Sequence, residues 1–300
     1  MSDYSVIIPA HNAGRTLPLV LAALGHQDPA PAEVIVVDDA SSDGTASLAE
    51  AAGARVVRLQ EPLYAGGARN RGWQEAQTDT IVFLDADAVP DDGWGGGVER
   101  AISEFPAAIV GCARLFHGDT AWSWVAHLQI ESPYLPVGNP REVKFVPSYR
   151  MALPRDLPVR FDSSYGGEDA LFCADALAAG VRLVFDPRFS ATHHRERRTL
   201  RSLRSEQQRL AYGMARCGSV QQEGLHKRIL WRVPVHHFLL LRLPVVYRRL
   251  GSNAELRQQF VRVLPRLALA EWLLGISMLR YAFKRPALRG TALERLRTAA

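Results

Sequence analysis

Glu33-Val-Ile-Val-Val-Asp-Asp-Ala-Ser-Ser-Asp-Gly-Thr45 is an apolar, β-branched run that breaks abruptly into a polar turn. A short run of this kind, bounded by turn residues, reads as a buried strand over 33–38. The loop at 39–45 then feeds a helix over 46–52. Working backwards, Ser5-Val-Ile-Ile-Pro9 is a second buried strand. The chain turns at Asn12 to Gly14, and a helix follows from Thr16 to Leu24. Thr16 is its expected N-cap, and Pro18 is harmless in a first turn whose N–H groups have no partner. Working forwards, 54–59 is a third strand, 66–76 a loop and helix, and Thr80-Ile-Val-Phe-Leu84 a fourth strand. Strands that alternate with helices about every 20–25 residues indicate βαβ units and an α/β fold on a mostly parallel sheet.

Beyond residue 100 the pattern is less regular. Ala108 to Ala113 reads as a strand. Trp122 to Ile130 is aromatic-rich and suits a helix or a lid. The proline-bearing stretch 132–158 reads as loop with a short strand around Phe145. Glu168 to Ala179 reads as a helix stopped by Gly180, and Arg182 to Phe185 as a late strand. After Thr199 the pattern is helical to the end. Gly93 to Gly97 is glycine-rich but is not GxGxxG, and no Walker A pattern occurs, so the common dinucleotide and P-loop fingerprints are missing.

The 300 residues are 47% hydrophobic and 22% charged, which excludes a disordered chain, a fibre and a polytopic membrane protein. Cys112, Cys173 and Cys217 are too few and too scattered for a disulfide framework or a CxxC site, and point to a reducing compartment. The N-terminus has no basic stretch ahead of Val6, so no secretory signal is expected. Charge is uneven. Residues 191–300 hold 22 Lys/Arg against 6 Glu and no Asp, although the whole chain is only +5. The expected division is a domain over 1–220 and a basic helical extension over 221–300.

Two apolar stretches, 233–247 and 264–283, are interrupted by Arg242 and by Arg266, Glu271 and Arg280, and so are too short to span a bilayer. Trp231, Arg232, Tyr247, Arg248, Arg249, Trp272 and Arg280 supply what an interfacial amphipathic helix needs. The reading is therefore peripheral membrane contact at the cytoplasmic face; the plain alternative is that these helices pack as ordinary core. The basic stretch at 226–232 matches no nucleic-acid motif, and no nucleic-acid partner is expected.

Five carboxylates sit just past apolar strands or at a helix start: Asp38, Asp39, Asp85, Asp87 and Asp169. In an open α/β sheet, ligands bind beyond the carboxyl ends of the strands. Asp85 and Asp87 fall on one side of an extended chain, and such a pair can hold a hard cation that bridges substrate phosphates. Asp38 reads as a turn-forming residue and Asp43 as an N-cap. Glu168 either orients Asp169 or is a simple first-turn acid. Asp169, at a helix start, is expected to be held ionised by the helix dipole. Trp122 and Trp124 suit stacking on a sugar, or packing of a core or lid. His117, His127, His236 and His237 have no partner spacing.

Taken in order, Ser5-Val-Ile-Ile-Pro-Ala-His-Asn12, Val36-Val-Asp-Asp-Ala-Ser-Ser-Asp-Gly-Thr45, Gly67-Ala-Arg-Asn70, Phe83-Leu-Asp-Ala-Asp87 and Gly167-Glu-Asp169 resemble glycosyltransferase family 2, nucleotide-sugar transferases of GT-A fold. The resemblance runs over about 4–215, with Tyr212-Gly213 similar to a late family feature. It implies that Pro9 and His11 cradle the nucleotide base, that Asp39 accepts from a base N–H (as uracil offers), and that Asp85 contacts ribose with Arg69 near the nucleotide. It further implies that Asp87 and a later histidine, His193 or His194 with His193 preferred, hold Mn²⁺ or Mg²⁺, and that Asp169 is the catalytic base of an inverting transfer to an acceptor hydroxyl. That acceptor is expected to be lipid-linked or part of the cell envelope, with a polar soluble acceptor as the main variation. Ser148-Tyr-Arg150, in a region that commonly faces the acceptor, departs from the usual family pattern, as does Val159-Arg-Phe-Asp-Ser163 before the catalytic base, which keeps Phe161-Asp162 but not the usual glycines. Two other classes stay open: a nucleotidyltransferase of related sheet, and a catalytically silent sugar-nucleotide or lipid-binding module.

Overall fold

The computed structural model describes residues 3–116, 120–164, 166–194, 199–220 and 235–282. The chain divides into two compact units, Met1–His117 with Gly138–Arg195, and Gly118–Val137 with Glu196–Ala300. The helical unit thus begins before residue 220 and also takes in the segment near 121–137. The physical reason is a shared core: Val125, Leu128, Leu135 and Leu203 bury against Val246, Phe260, Val263 and Leu267. Trp231, Arg232 and the stretches 221–234 and 283–300 lie outside the described residues, as does His117.

The first unit is a nine-stranded sheet. Its strands are β1 (Tyr4–Ala10), β2 (Glu33–Asp38), β3 (Arg55–Arg58), β4 (Thr80–Leu84), β5 (Ala88–Pro90), β6 (Ala108–Phe116), β7 (Arg141–Glu142), β8 (Arg150–Pro154) and β9 (Arg182–His193). They lie in the order β3-β2-β1-β4-β8-β6-β9-β5, with β7 paired to β9. Neighbours from β3 to β4 are parallel, as is β6 with β9, while β8 runs antiparallel between β4 and β6. The helices are α1 (Leu17–Gly25), α2 (Thr45–Ala51), α3 (Tyr64–Glu75), α4 (Trp94–Glu104) and, later, α6 (Glu168–Ala178).

The unbroken apolar strands follow from burial on both faces. Val6, Ile8, Val36, Val82 and Leu84 pack with Leu17, Val20, Trp94 and Val98 on one side. Ile7, Ile35, Val37, Ile81 and Phe83 pack with Trp73, Phe172 and Cys173 on the other. The glycine-rich stretch at 93–97 starts α4 rather than forming a loop. A Cβ on Gly97 would stand 2.3 Å from Phe189 Cβ, so only glycine lets this helix seat against β9. The expected strand around Phe145 is instead the two-residue β7 at 141–142, and β8 at 150–154 lies where the sequence reads as loop.

In the second unit, α5 (Ala121–Ala126) continues into a π-helical turn, His127–Glu131, and α7 (Leu200–Val220), α8 (Val235–Phe238), α9 (Arg242–Arg249) and α10 (Ala254–Ala282) follow. Trp122 and Trp124 pack against this unit's own core. Several of its buried polar side chains meet one another, as burial favours. Gln207 Nε2 donates to Gln129 Oε1 and to the Ala270 carbonyl, both at 2.9 Å. Buried Glu271 meets His237 Nδ1 at 2.5 Å and Arg242 at 3.5 Å. Among the described residues no helix is long and apolar enough to cross a membrane.

Candidate active site

Register brings the strand ends to one rim. Pro9 pairs with Val37, Ala10 with Asp38 and Ile7 with Phe83, so the residues just past β1, β2 and β4 emerge side by side. His11, Asp39 and Asp85 occupy those positions. The two loops past β1 and β2 are stitched together. His11 Nδ1 donates to the Asp39 carbonyl at 2.7 Å, the Asn12 amide to Ser41 Oγ at 2.9 Å, and the Ser42 amide to Asn12 Oδ1 at 2.9 Å. Asp39 Oδ1 accepts from the Leu63 amide at 2.6 Å, and its other oxygen takes no hydrogen bond among the described residues. Pro9 is half-buried beneath these loops and His11 is exposed. Asp38 serves the turn, accepting from the Ser41 amide at 3.2 Å. Asp43 accepts from the Thr45 amide at 3.0 Å and the Gly14 amide at 3.1 Å; the Thr45 hydroxyl bond above all, with these amides, holds its carboxyl below the usual range.

The second cluster forms where β5 runs antiparallel to β9. Ala88 pairs with His193, and the His194 amide donates to the Asp87 carbonyl at 2.8 Å. Asp85, Asp87 and His193 each present a ligand atom within 4.8 Å of the others, so His193 is the histidine that joins the acidic pair. Its buried Nε2 lies 3.0 Å from Asp87 Oδ1 yet makes no hydrogen bond of good geometry. Two carboxylates and one imidazole, whose buried Nε2 is without a hydrogen bond, fit a Mn²⁺- or Mg²⁺-sized cation. On the ring's other side Arg114 Nη2 stands 2.7 Å from Nδ1. A guanidinium can only donate, so Nδ1 accepts. A cation on Nε2 needs the ring proton on Nδ1, so it and the Arg114 bond are alternatives.

Arg69 joins this cluster to the helix α6 start. Its buried guanidinium meets Asp85 Oδ1 at 2.9 Å and Glu168 Oε1 at 3.5 Å. Local sequence explains the approach. A Cβ on Gly66 would stand 2.1 Å from the Asp162 carbonyl, so glycine admits the loop at 161–164. Asn70 then clamps that loop, donating to the Phe161 carbonyl at 2.8 Å and accepting from its amide at 3.0 Å. Asp169 follows Glu168 in the first turn of α6. Its carboxyl is not kept readily ionised there, contrary to the expectation from the helix dipole. Burial, then the Glu168 charge, pushes it up to about 7, against the pull of Arg69 and of the Ala170 amide.

The residue roles assigned to Arg114 and Tyr149 are not among the sequence expectations. Tyr149 packs its ring 5.4 Å from His193, and Arg114 lies 5.5 Å over the Tyr149 ring. The available signals were an arginine interrupting the apolar run of β6 and the unusual Ser148-Tyr-Arg150.

Residues 5–163 match the family model described as glycosyl transferase family 2. An uncharacterised glycosyltransferase of Mycobacterium tuberculosis is 34% identical over 126 residues, covering 41% of this chain and 54% of the relative. The chain therefore spans about half the length of that curated relative. Among solved structures, mannosyltransferase PcManGT from Pyrobaculum calidifontis, in complex with GDP-Man and Mn²⁺, superposes with a TM-score of 0.64 at 17% identity, over 94% of this chain and 88% of that one. TarS of S. aureus, in complex with UDP-GlcNAc, gives 0.57 at 19% identity, over 99% and 92%. At such identities the likeness is one of fold, the GT-A fold.

Proposed function

The chain belongs to glycosyl transferase family 2, and from that premise we propose that it moves a sugar from a nucleoside-diphosphate donor, UDP-linked, to an acceptor hydroxyl with inversion at the anomeric carbon. The observation that carries the reading is the Arg69 bridge. One buried guanidinium ties Asp85, in the candidate cation cluster, to Glu168, beside the candidate base Asp169. Donor-side charge and acceptor-side base are thereby held at a fixed spacing, as a single displacement requires.

His11 and Pro9 wall the base, and the Asp39 oxygen that takes no hydrogen bond among the described residues accepts the uracil N3–H. Asp85 serves the ribose end of the donor, and Arg69 keeps its carboxylate oriented. Asp85, Asp87 and His193 are the residues that would hold Mn²⁺ or Mg²⁺, the Mn²⁺ in the structurally similar mannosyltransferase supporting the choice. Bound there, the ion supplies Lewis-acid stabilisation of the departing diphosphate. Asp169 takes the acceptor proton as the hydroxyl oxygen bonds to the anomeric carbon, and the glycosidic electron pair leaves with the nucleoside diphosphate. A carboxylate with a pKa of about 7 is a stronger base than an ordinary one and is still half ionised at neutral pH. The basic C-terminal helices hold the protein at the cytoplasmic membrane face, where a lipid-linked or cell-envelope acceptor is presented; the excess of Lys and Arg after residue 190 supports the membrane contact.

Calorimetric titration with UDP, GDP and dTDP, each with and without Mn²⁺, tests the donor reading. UDP binding that needs Mn²⁺ and vanishes in Asp87→Ala is the expected result. Binding of GDP or dTDP alone overturns the base preference, and binding of none overturns the transferase reading. Release of pyrophosphate from a nucleoside triphosphate would favour a nucleotidyltransferase instead.

A further inference from the structure

Helix α10 has an apolar face it does not need for its own unit. Its inward face is complete: Phe260, Val263, Leu267, Ala270, Leu274 and Met278 are buried at spacings of three and four residues. The opposite face of a helix on a core should be polar. Here Val261 is 64% exposed, Leu269 46%, and Trp272 and Ile276 52% each. At 100° per residue these four side chains fall within about 80° of arc. Single exposed apolar residues are ordinary, but one aligned stripe is not.

The stripe is bordered by cations. Exposed Arg262, Arg266 and Arg280 lie along one edge and Arg257 along the other. The helix has two carboxylates, exposed Glu255 in its first turn and Glu271. Glu271 is fully buried and points inward to His237 and Arg242. Two further leucines extend the apolar surface. Leu239 and Leu241 are 62% and 56% exposed, and flank Leu240, whose φ of +55° is strained for a residue with a branched side chain. Trp272 Nε1 donates to the Phe238 carbonyl at 3.0 Å, which fixes this segment beside the stripe.

We infer that the outer face of α10, with Leu239 and Leu241, is the surface that inserts into the headgroup region of an anionic bilayer. This rests on the reading that the C-terminal helices meet a membrane, and names the face and the lipid charge. An apolar stripe edged by arginine, with tryptophan along it, is what an interfacial helix presents to such a surface. The absence of exposed acid after Glu255 on this helix favours anionic lipid over a protein partner of mixed charge.

The test is co-sedimentation of the full chain with phosphatidylcholine vesicles, with and without phosphatidylglycerol, comparing wild type, Leu269→Ser/Trp272→Ser/Ile276→Ser and Arg262→Gln/Arg280→Gln. UDP binding in each variant reports an intact first unit, and circular dichroism an intact helical unit. Binding to anionic vesicles alone is expected, weakened at least tenfold in the apolar variant and roughly fivefold per arginine in the other. Full binding by both variants overturns the assigned face but leaves the membrane reading. No vesicle binding by wild type overturns both, without touching the donor-site reading if UDP still binds. Concentration-dependent self-association lost in the apolar variant, with no vesicle binding, makes the face a contact between copies and overturns the inference.

Discussion

Replacing Asp169 by Asn should abolish transfer and at the same time stabilise the fold. The carboxyl is moved from an ordinary 3.8 to about 7 by burial and by Glu168. A raised pKa means that the native state holds the proton more tightly than the unfolded chain does. Between pH 3.8 and 7 stability therefore falls as pH rises, and above that window the full penalty is present. At about 1.4 kcal/mol per pH unit the penalty approaches ~4 kcal/mol; the half-buried side chain and solvent screening reduce it to about 2–3 kcal/mol. Asn reproduces the neutral carboxylic acid and keeps an oxygen for the Ala170 amide, which stands 2.9 Å from Oδ1. The variant should thus unfold at higher urea and some 5–8 °C higher at pH 8. The advantage should shrink to about a third of that by pH 5. Urea and thermal unfolding in chelator, from pH 5 to 8.5, measures it. Equal or lower stability of Asp169→Asn at pH 8, or a gain that does not change with pH, refutes the argument that this base is held against its preference. Wild-type kcat/KM should rise with a single ionisation near pH 7.

Glu168→Gln removes the second cause of that raised value, so the activity limb should move to lower pH while staying well above 4, because burial is the larger cause. Arg69→Met strands Asp85 and Glu168 and should lower stability by about 3–5 kcal/mol, read by urea unfolding. Arg114→Gln offers His193 Nδ1 an acceptor for its proton and removes a positive charge, so calorimetry should find tighter Mn²⁺ binding than in wild type; weaker binding would contradict the tautomer argument. Gly66→Ala drives a Cβ to within 2.1 Å of the Asp162 carbonyl and should cost about 1–3 kcal/mol, with loss of the Asn70 clamp visible as faster amide exchange at Phe161.

Three strands of the parallel half, β1, β2 and β4, were legible because each is an apolar run largely buried between the helices, and each run ends in a polar loop. Val6-Ile-Ile8 and Val34-Ile-Val-Val37 admit few other readings. Strand β8 was not legible, although it lies at the centre of the sheet. Its Arg-Met-Ala-Leu-Pro carries no β-branched residue, has proline at its end and an arginine at its start, and takes its conformation from β4 and β6 on either side. The helices around 121–131 could not be assigned to the later ones from spacing alone, because only tertiary packing on Phe260, Val263 and Leu267 joins them.

The acidic pair and Asp169 stand out by residue type and place, since strand ends and a helix start are where this architecture exposes side chains, while Arg69 and the candidate-base role of Asp169 come only from the family resemblance. Their coupling is not legible there. Nothing in Gly67-Ala-Arg-Asn70 says that Arg69 reaches Asp85 and Glu168 together, or that Arg114 on a different strand holds the ring of His193. The charge state of Asp169 shows the limit most sharply. A helix start favours a carboxylate by about 0.3–1 kcal/mol, less than one pKa unit, and that much is visible in sequence. Burial of a carboxyl can oppose it by up to about 3–5 units, and burial is decided by Gly66, Asn70 and the loop they let in. The larger effect is the invisible one, so the sign expected from the helix start alone is reversed, and the packing that raises the pKa also strengthens the Asp169 carboxylate as a proton acceptor.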